Sequence, residues 1–299
     1  MIEFKNVGFI GVGAMGGRMC RNLVLKSGKR VIAYDINYRA VMKLVDFGVE
    51  AAPSIAFLTK ESNLIFMCLP GESQVREVCL GDDGIFTNAR AGQIVIDMST
   101  ATPAIARQLS NKFAKKSVEF ADAPVSRGVS AAEDGTLSIM FGGTLELLER
   151  IRPALECMGT SITHCGGVGT GQVMKLMNNM VIFQNVSALA EALTISRRFG
   201  IDGELLFETL SRGSADSYVL RKHGIMYMVK DIYPDDLFPM TYSLKDLRYA
   251  LQLAKETNVD AAGARVVKRR FEEAIEAGYG KLYSPVIQKL LEQKAQDSD

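Results

Sequence analysis

Val7-Gly8-Phe9-Ile10-Gly11-Val12-Gly13-Ala14-Met15-Gly16 is the stretch whose reading decides the first half of the chain. Val7 to Ile10 is a short apolar run of the kind that forms a buried strand. Glycines at 11, 13 and 16 follow at once, and a helical pattern continues through Leu25. Strand, G-x-G-x-x-G turn and helix in that order make up the dinucleotide-binding fingerprint. The glycines let the backbone turn tightly and approach a pyrophosphate, whose charge meets the helix N-terminus. Gly11, Val12, Gly13, Ala14, Met15 and Gly16 are therefore candidate cofactor-binding residues. A second strand, Arg30 to Tyr34, ends at Asp35, about 20 residues beyond the last glycine, where a carboxylate takes the adenosine ribose hydroxyls. That acid repels the extra phosphate of NADP, so NAD is the preferred cofactor; Arg39 close by keeps NADP possible.

Outward from this start, strand patterns recur near Leu64 to Leu69, Ile94 to Met98, Val118 to Ala121 and Leu137 to Phe141, with helical stretches such as Pro103 to Lys115 between them. Such alternation predicts an α/β, Rossmann-type, doubly wound parallel sheet with ligands beyond the carboxyl ends of its strands. The loops that follow strands are then the informative ones: Leu69-Pro70, Ser99-Thr100, and Asp122 to Gly128. In the last, the Ser126 hydroxyl, backbone N–H groups and the Arg127 guanidinium lie together, as a carboxylate site needs. The same spacing fits a polar turn with Arg127 in water.

Gly166 to Asn179 (GGVGTGQVMKLMNN) opens a second region. Its glycines cannot nucleate a helix, but from Gln172 the chain runs apolar without Gly or Pro to Phe199, and Gly200 supplies the stop. Lys175 and Asn179 share one face a turn apart, with Asn178 beside them. The apolar neighbours Met174, Leu176, Met177, Met180, Val181, Ile182 and Phe183 predict a helix buried on most sides. A lysine there is desolvated and becomes a candidate acid/base rather than a solvated charge. Beyond Gly171 only helical patterns remain, at roughly 202–212, 215–230, 241–257, 260–277 and 283–294. The expected division is a nucleotide-binding domain over 1–164 and an all-α domain over 165–299.

Composition narrows the function classes. A chain of 299 residues suits two domains, and 47% hydrophobic with 23% charged residues suits an ordinary folded core. A net charge of +1 carries no footprint for nucleic acid or an anionic membrane. The five cysteines form no CxxC pair and there are two histidines, so no metal site is expected and a cytoplasmic setting is the default. Charged and polar residues interrupt the long apolar helix, which excludes it as a membrane span. The polar tail Gln293 to Asp299 is expected to fray.

Taken together, Phe9 to Gly16, Asp122 to Gly128 with Gly135-Thr136-Leu137, Gly169-Thr170-Gly171 with Lys175 and Asn178-Asn179, and Phe238 with Lys245-Asp246 give the chain a resemblance to the β-hydroxyacid dehydrogenases over nearly its whole length. That group contains 3-hydroxyisobutyrate dehydrogenase, tartronate semialdehyde reductase and the glyoxylate or succinic semialdehyde reductases. The resemblance implies that Lys175 is catalytic and that Ser126, Arg127, Gly128, Asn178 and Asn179 hold the substrate. It further implies that Leu69, Pro70 and Thr100 line the cofactor site and that Lys245 closes over it. One departure stands out: the family commonly has Ser-Gly-Gly where this chain has Ser126-Arg127-Gly128, and an arginine there suits a second anionic group. Asn178 replaces the histidine of the larger phosphogluconate enzymes, and the imine reductases lack the lysine.

The expected reaction is reversible oxidation of a small 3-hydroxy acid, 3-hydroxyisobutyrate-like, to its semialdehyde. The alternatives are an NADPH-dependent glyoxylate or succinic semialdehyde reductase and a non-catalytic nucleotide-binding protein. A homodimer or homotetramer is expected.

Overall fold

The computed structural model describes residues 4–235 and 237–297. They form two compact units, which divide between Lys175 and Leu176. The long helix Thr170–Arg198 starts in the first unit and continues through the second.

The first unit is built on a nine-stranded sheet. Its strands are β1 (Asn6–Ile10), β2 (Arg30–Tyr34), β3 (Glu50–Ala51), β4 (Leu64–Met67), β5 (Ile94–Asp97), β6 (Glu119–Asp122), β7 (Val125–Ser126), β8 (Leu137–Gly142) and β9 (Gly159–Gly166). They lie in the order β3-β2-β1-β4-β5-β6-β8-β7, with β9 paired to β8. From β3 through β6 every pairing is parallel. Residues of β1, β2, β4 and β5 point alternately into two apolar layers, Val7, Phe9, Phe66 and Ile96 on one face and Ile10, Ile32, Ile65 and Val95 on the other. Burial on both faces is why these strands read as unbroken apolar runs. The chain order reverses between β1 and β4, so their carboxyl ends flank the crevice where doubly wound sheets take ligands.

The sheet departs from the expected all-parallel pattern at β8, which is antiparallel to both β6 and β7. Three strands carry no alternating or apolar signal. β3 and β7 have two residues each, and β9 is largely exposed or half-buried, with Thr160, Ser161, Thr163 and His164 in its length.

The second unit is helical. After the long helix come Gly203–Ser211, a wide-turned π-helical segment Leu220–Met228, then Met240–Glu256, Ala262–Ala274 and Ile287–Gln296. Phe183, Val186, Ala190, Leu193, Phe207, Leu247, Phe271 and Ile287 make its core. The long helix is not buried on most sides, contrary to its composition. Leu176, Asn179, Phe183, Val186, Ala190 and Leu193 form the inward stripe, while Met174, Val181 and Ile195 are 50%, 55% and 69% exposed. Of the polar tail, residues to Gln296 continue the last helix, and 298 and 299 lie outside the described residues. Among the described residues no helix is long and apolar enough to cross a membrane, and no His, Cys, Asp or Glu group could hold a metal ion. The five cysteines are unbridged.

Candidate active site

The glycine turn has the shape that a dinucleotide needs. Gly11 adopts φ +85, and a side chain there would lie 2.4 Å from the Cys68 carbonyl oxygen, so the turn fits against the end of β4 only with glycine. A side chain at Gly16 would run into the Gly11 carbonyl, which lets the helix Gly16–Ser27 pack close to the strand. At Gly13 a side chain would meet nothing within 4 Å. The backbone is open to an approaching group there, and a Cβ would take up that space. Ala14 beside it is exposed and Met15 half-buried. Asp35 closes the arrangement: one carboxylate oxygen accepts from Val12 N at 2.8 Å and the other from Asn37 N at 2.8 Å. These residues fit a nicotinamide dinucleotide. Arg39 is exposed.

The loops after β4, β5 and β6 are tied to one another and to the start of the long helix. Leu69 N donates to Ser99 Oγ at 2.9 Å, and Ser99 N donates to Asp97 at 2.9 Å. Pro70 is exposed and Thr100 half-buried at the same edge. Gln172, fully buried, accepts from Ala101 N at 3.0 Å and donates to the Ser99 carbonyl at 2.8 Å. Asp122, also fully buried, accepts from Gly169 N at 2.6 Å and Gln172 N at 2.8 Å. Burial pushes the Asp122 carboxyl up to about 7 against the pull of these two N–H groups, with Asp97, its register partner on β5, adding to the rise. Lys175 follows Gln172 by three residues and is half-buried rather than buried.

Ser126 is half-buried and Arg127 and Gly128 are exposed, at the turn from β7 into the helix Gly128–Asp134. Arg127 holds φ +88, a left-handed backbone that arginine rarely adopts, and its Nη1 donates to the Thr136 carbonyl at 3.0 Å.

In the second unit, Asn178 Nδ2 donates to Asn179 Oδ1 at 3.0 Å, and Asn179 Nδ2 donates to Asp246 Oδ2 at 2.7 Å. The Lys245 amine lies 2.9 Å from Asp246 Oδ1 and over the Tyr249 ring, 5.1 Å from its centre. Asn178, Asn179, Asp246 and Lys245 thus form one chain of contacts around an acid only 1% exposed. The glycine turn, Asp35, Leu69, Pro70, Thr100, Ser126 to Gly128 and Lys175 all belong to the first unit. Reading the sequence for site residues passes over Ser99, Asp122, Gln172 and Asp246 as working groups. Only the position of Asp122 at the end of a strand, of Ser99 just beyond one, and of Asp246 next to Lys245, hints at them.

A family model described as the NAD binding domain of 6-phosphogluconate dehydrogenase matches residues 6–167. Another, described as the NAD-binding domain of NADP-dependent 3-hydroxyisobutyrate dehydrogenase, matches residues 169–289. The 2-(hydroxymethyl)glutarate dehydrogenase of Eubacterium barkeri is 34% identical over 287 residues, 96% of this chain and 95% of that protein. The 3-hydroxyisobutyrate dehydrogenase of Pseudomonas aeruginosa is 38% identical over 219 residues, 73% of each chain. Among solved structures, that of Mycobacterium tuberculosis 3-hydroxyisobutyrate dehydrogenase with L-serine superposes with a TM-score of 0.87 at 28% identity, covering 97% of this chain and 99% of that one.

Proposed function

The chain belongs to the NAD(P)-dependent β-hydroxyacid dehydrogenases, and on that premise we propose that Lys175 is the acid/base through which it interconverts a small 3-hydroxy acid and its semialdehyde. The observation that carries the reading is the anchoring of the Lys175 helix. Its first turn is bonded to the ends of β5 and β6, in the same unit as the glycine turn and Asp35. A bound nicotinamide supplies the hydride acceptor for oxidation and the donor for reduction. Neutral, the Lys175 amine takes the hydroxyl proton during oxidation; protonated, it gives one to the carbonyl oxygen during reduction. Ser126 and the backbone at Gly128 bind the substrate carboxylate. Asn179, itself oriented by Asp246 and Asn178, aligns the reacting groups, and Leu69, Pro70, Thr100 and Lys245 border the cofactor. NAD is the preferred nucleotide, because Asp35 is held beside the glycine turn by Val12 N and would repel a ribose phosphate. Lys175→Ala is expected to lower kcat by about 10²- to 10⁴-fold with cofactor Kd nearly unchanged. Near-normal turnover in that variant, measured by absorbance of the reduced nicotinamide, removes Lys175 from the chemistry.

A second reading concerns the substrate. Holding a residue other than glycine in the left-handed region costs about 1–2 kcal/mol, and strain of this sort gathers where a side chain is used. Arg127 sits in that conformation within the proposed carboxylate loop. The Eubacterium barkeri relative is named for a hydroxymethyl dicarboxylate. We therefore favour a 3-hydroxy dicarboxylate, with Arg127 taking the second carboxylate. The test is a rate panel of 2-(hydroxymethyl)glutarate, 3-hydroxyisobutyrate, L-serine, glycerate and 4-hydroxybutyrate. A charged hydrogen bond is worth about 1.5–3 kcal/mol. Arg127→Ala should accordingly lower kcat/KM for the dicarboxylate by about 10- to 100-fold and leave the monocarboxylates within a few-fold. Equal losses on both classes remove this role.

The chain is also read as a homodimer or homotetramer. Support comes from the outward face of the long helix, where Met174, Val181, Ala188 and Ile195 recur every seven residues.

A further inference from the structure

The long helix begins in a segment unable to hold itself. Gly166, Gly167, Gly169 and Gly171 surround its start, and glycine is about 1 kcal/mol per residue worse than alanine in a helix. The first N–H groups of any helix lack partners within it and need an acceptor from outside. Thr170 is the hydroxyl residue in place to cap, but its Oγ1 donates to the Gly167 carbonyl at 2.7 Å. The acceptor comes instead from β6, about fifty positions earlier in the chain. Asp122 takes Gly169 N on one oxygen and Gln172 N on the other, a carboxyl group set at the start of the helix.

Room for that carboxyl group is made by two glycines from separate elements. A side chain at Gly142 would lie 2.6 Å from Asp122 Oδ1, and one at Gly171 would lie 2.8 Å from Oδ2. Gln172 adds a second pair of bonds, through its side chain, to Ala101 N and the Ser99 carbonyl. The two pairs reach different elements. The carboxyl ties the first turn to the end of β6, and the carboxamide ties it to the loop after β5. Lys175 stands three residues on, about 60° round and about 4.5 Å along from Gln172. A turn of the helix onset is therefore a displacement of the lysine stem.

We propose that Asp122 and Gln172 are positioning residues that clamp the first helical turn and so fix where the Lys175 amine is presented. The inference rests on the reading of Lys175 as the acid/base. Neither residue need touch substrate or cofactor to act in this way. Asp122→Asn keeps one acceptor but turns an NH₂ toward a backbone N–H, and Gln172→Met keeps the side-chain length while removing both of its bonds.

The experiment measures kcat, KM and cofactor Kd for Asp122→Asn and Gln172→Met, alone and combined with Lys175→Ala. Thermal melts report the folded fraction. Acylation of Lys175 by acetic anhydride in the cofactor-free protein, followed by peptide mass spectrometry, reads the amine without turnover. A misplacement of about 1 Å costs up to about 100-fold in rate, so each variant is expected to lose about 10- to 100-fold in kcat while cofactor Kd stays within about twofold. The Lys175 acylation rate should shift severalfold relative to Lys112, and neither substitution should lower the residual rate of Lys175→Ala any further. The proposal is overturned if the folded variants keep wild-type kcat, or if they lower the Lys175→Ala rate by the same factor as the wild-type rate. Should Asp122→Asn not fold, Gln172→Met decides by the same criteria. Near-normal turnover by Lys175→Ala would overturn the reading of the lysine itself. An inactive Lys175→Ala beside fully active Asp122→Asn and Gln172→Met would overturn the clamp alone.

Discussion

Asp35 serves local structure, and in the proposed reading it serves nucleotide specificity as well. Its two oxygens accept from Val12 N and Asn37 N, so it shapes the glycine turn while fixing a negative charge beside it. Removing it disturbs the turn for either nucleotide, and only the ratio of efficiencies isolates the charge. For Asp35→Ala the ratio of kcat/KM with NAD to that with NADP is expected to fall by at least about tenfold, the equivalent of roughly 1.4 kcal/mol. An unaltered ratio takes Asp35 out of nucleotide selection. Gly11 to Gly16 are legible in the sequence because turn geometry fixes them within a few residues of one another, and Asp35 because it ends the next strand about 20 residues on. Gln172 is not legible, because a glutamine near a helix start has no distinguishing pattern and its partners Ser99 and Ala101 lie some seventy residues away. Asp246 is hidden for the same reason, its bond to Asn179 spanning 67 positions.

At the level of elements, the strands from β1 to β6 were readable wherever both faces are buried, since the apolar run then has only one explanation. β9 is half-exposed and polar, and it becomes a strand only because β8 offers it an edge. The long helix was readable in length but not in orientation. Its composition is apolar nearly all round, yet Leu176, Phe183, Val186, Ala190 and Leu193 are buried whereas Val181 and Ile195 stand outward. This uncovered apolar row is the surface through which the proposed homo-oligomer would join. Val181→Glu with Ile195→Glu is expected to reduce the proposed assembly to single chains, as read by sedimentation equilibrium, with the helical circular dichroism signal retained. If the wild-type chain sediments as a monomer, or the variant keeps the wild-type mass, this face does not join copies.

For the whole molecule, two buried titratable groups act in opposite directions. His223 lies in the π-helical segment beside Tyr283, whose hydroxyl is 3.0 Å from its Nε2. Burial, with Lys222 adding to it, lowers its pKa from 6.5 to about 4. The unfolded chain therefore takes up this proton first, and the stability His223 contributes is present above 6.5 and is lost as pH falls toward 4. Asp122 is the reverse. Its carboxyl keeps a proton to about 7 rather than 3.8, so its contribution is present below 3.8 and is lost as pH rises through 7. In urea melts compared between pH 8 and pH 5, the gap between wild type and His223→Gln should narrow at the lower pH while that between wild type and Asp122→Asn should widen. Gaps that stay constant, or move the other way, contradict these assignments. The trans cap on the long helix bears also on how the chain acquires its structure. Beyond Leu176 the helix is held by the apolar side chains it buries, such as Phe183 against Phe271, whereas the glycine-rich turn before the amine takes its cap from a carboxyl some fifty residues upstream, at the end of a strand. The order of the onset that carries Lys175 therefore depends on the sheet being in place.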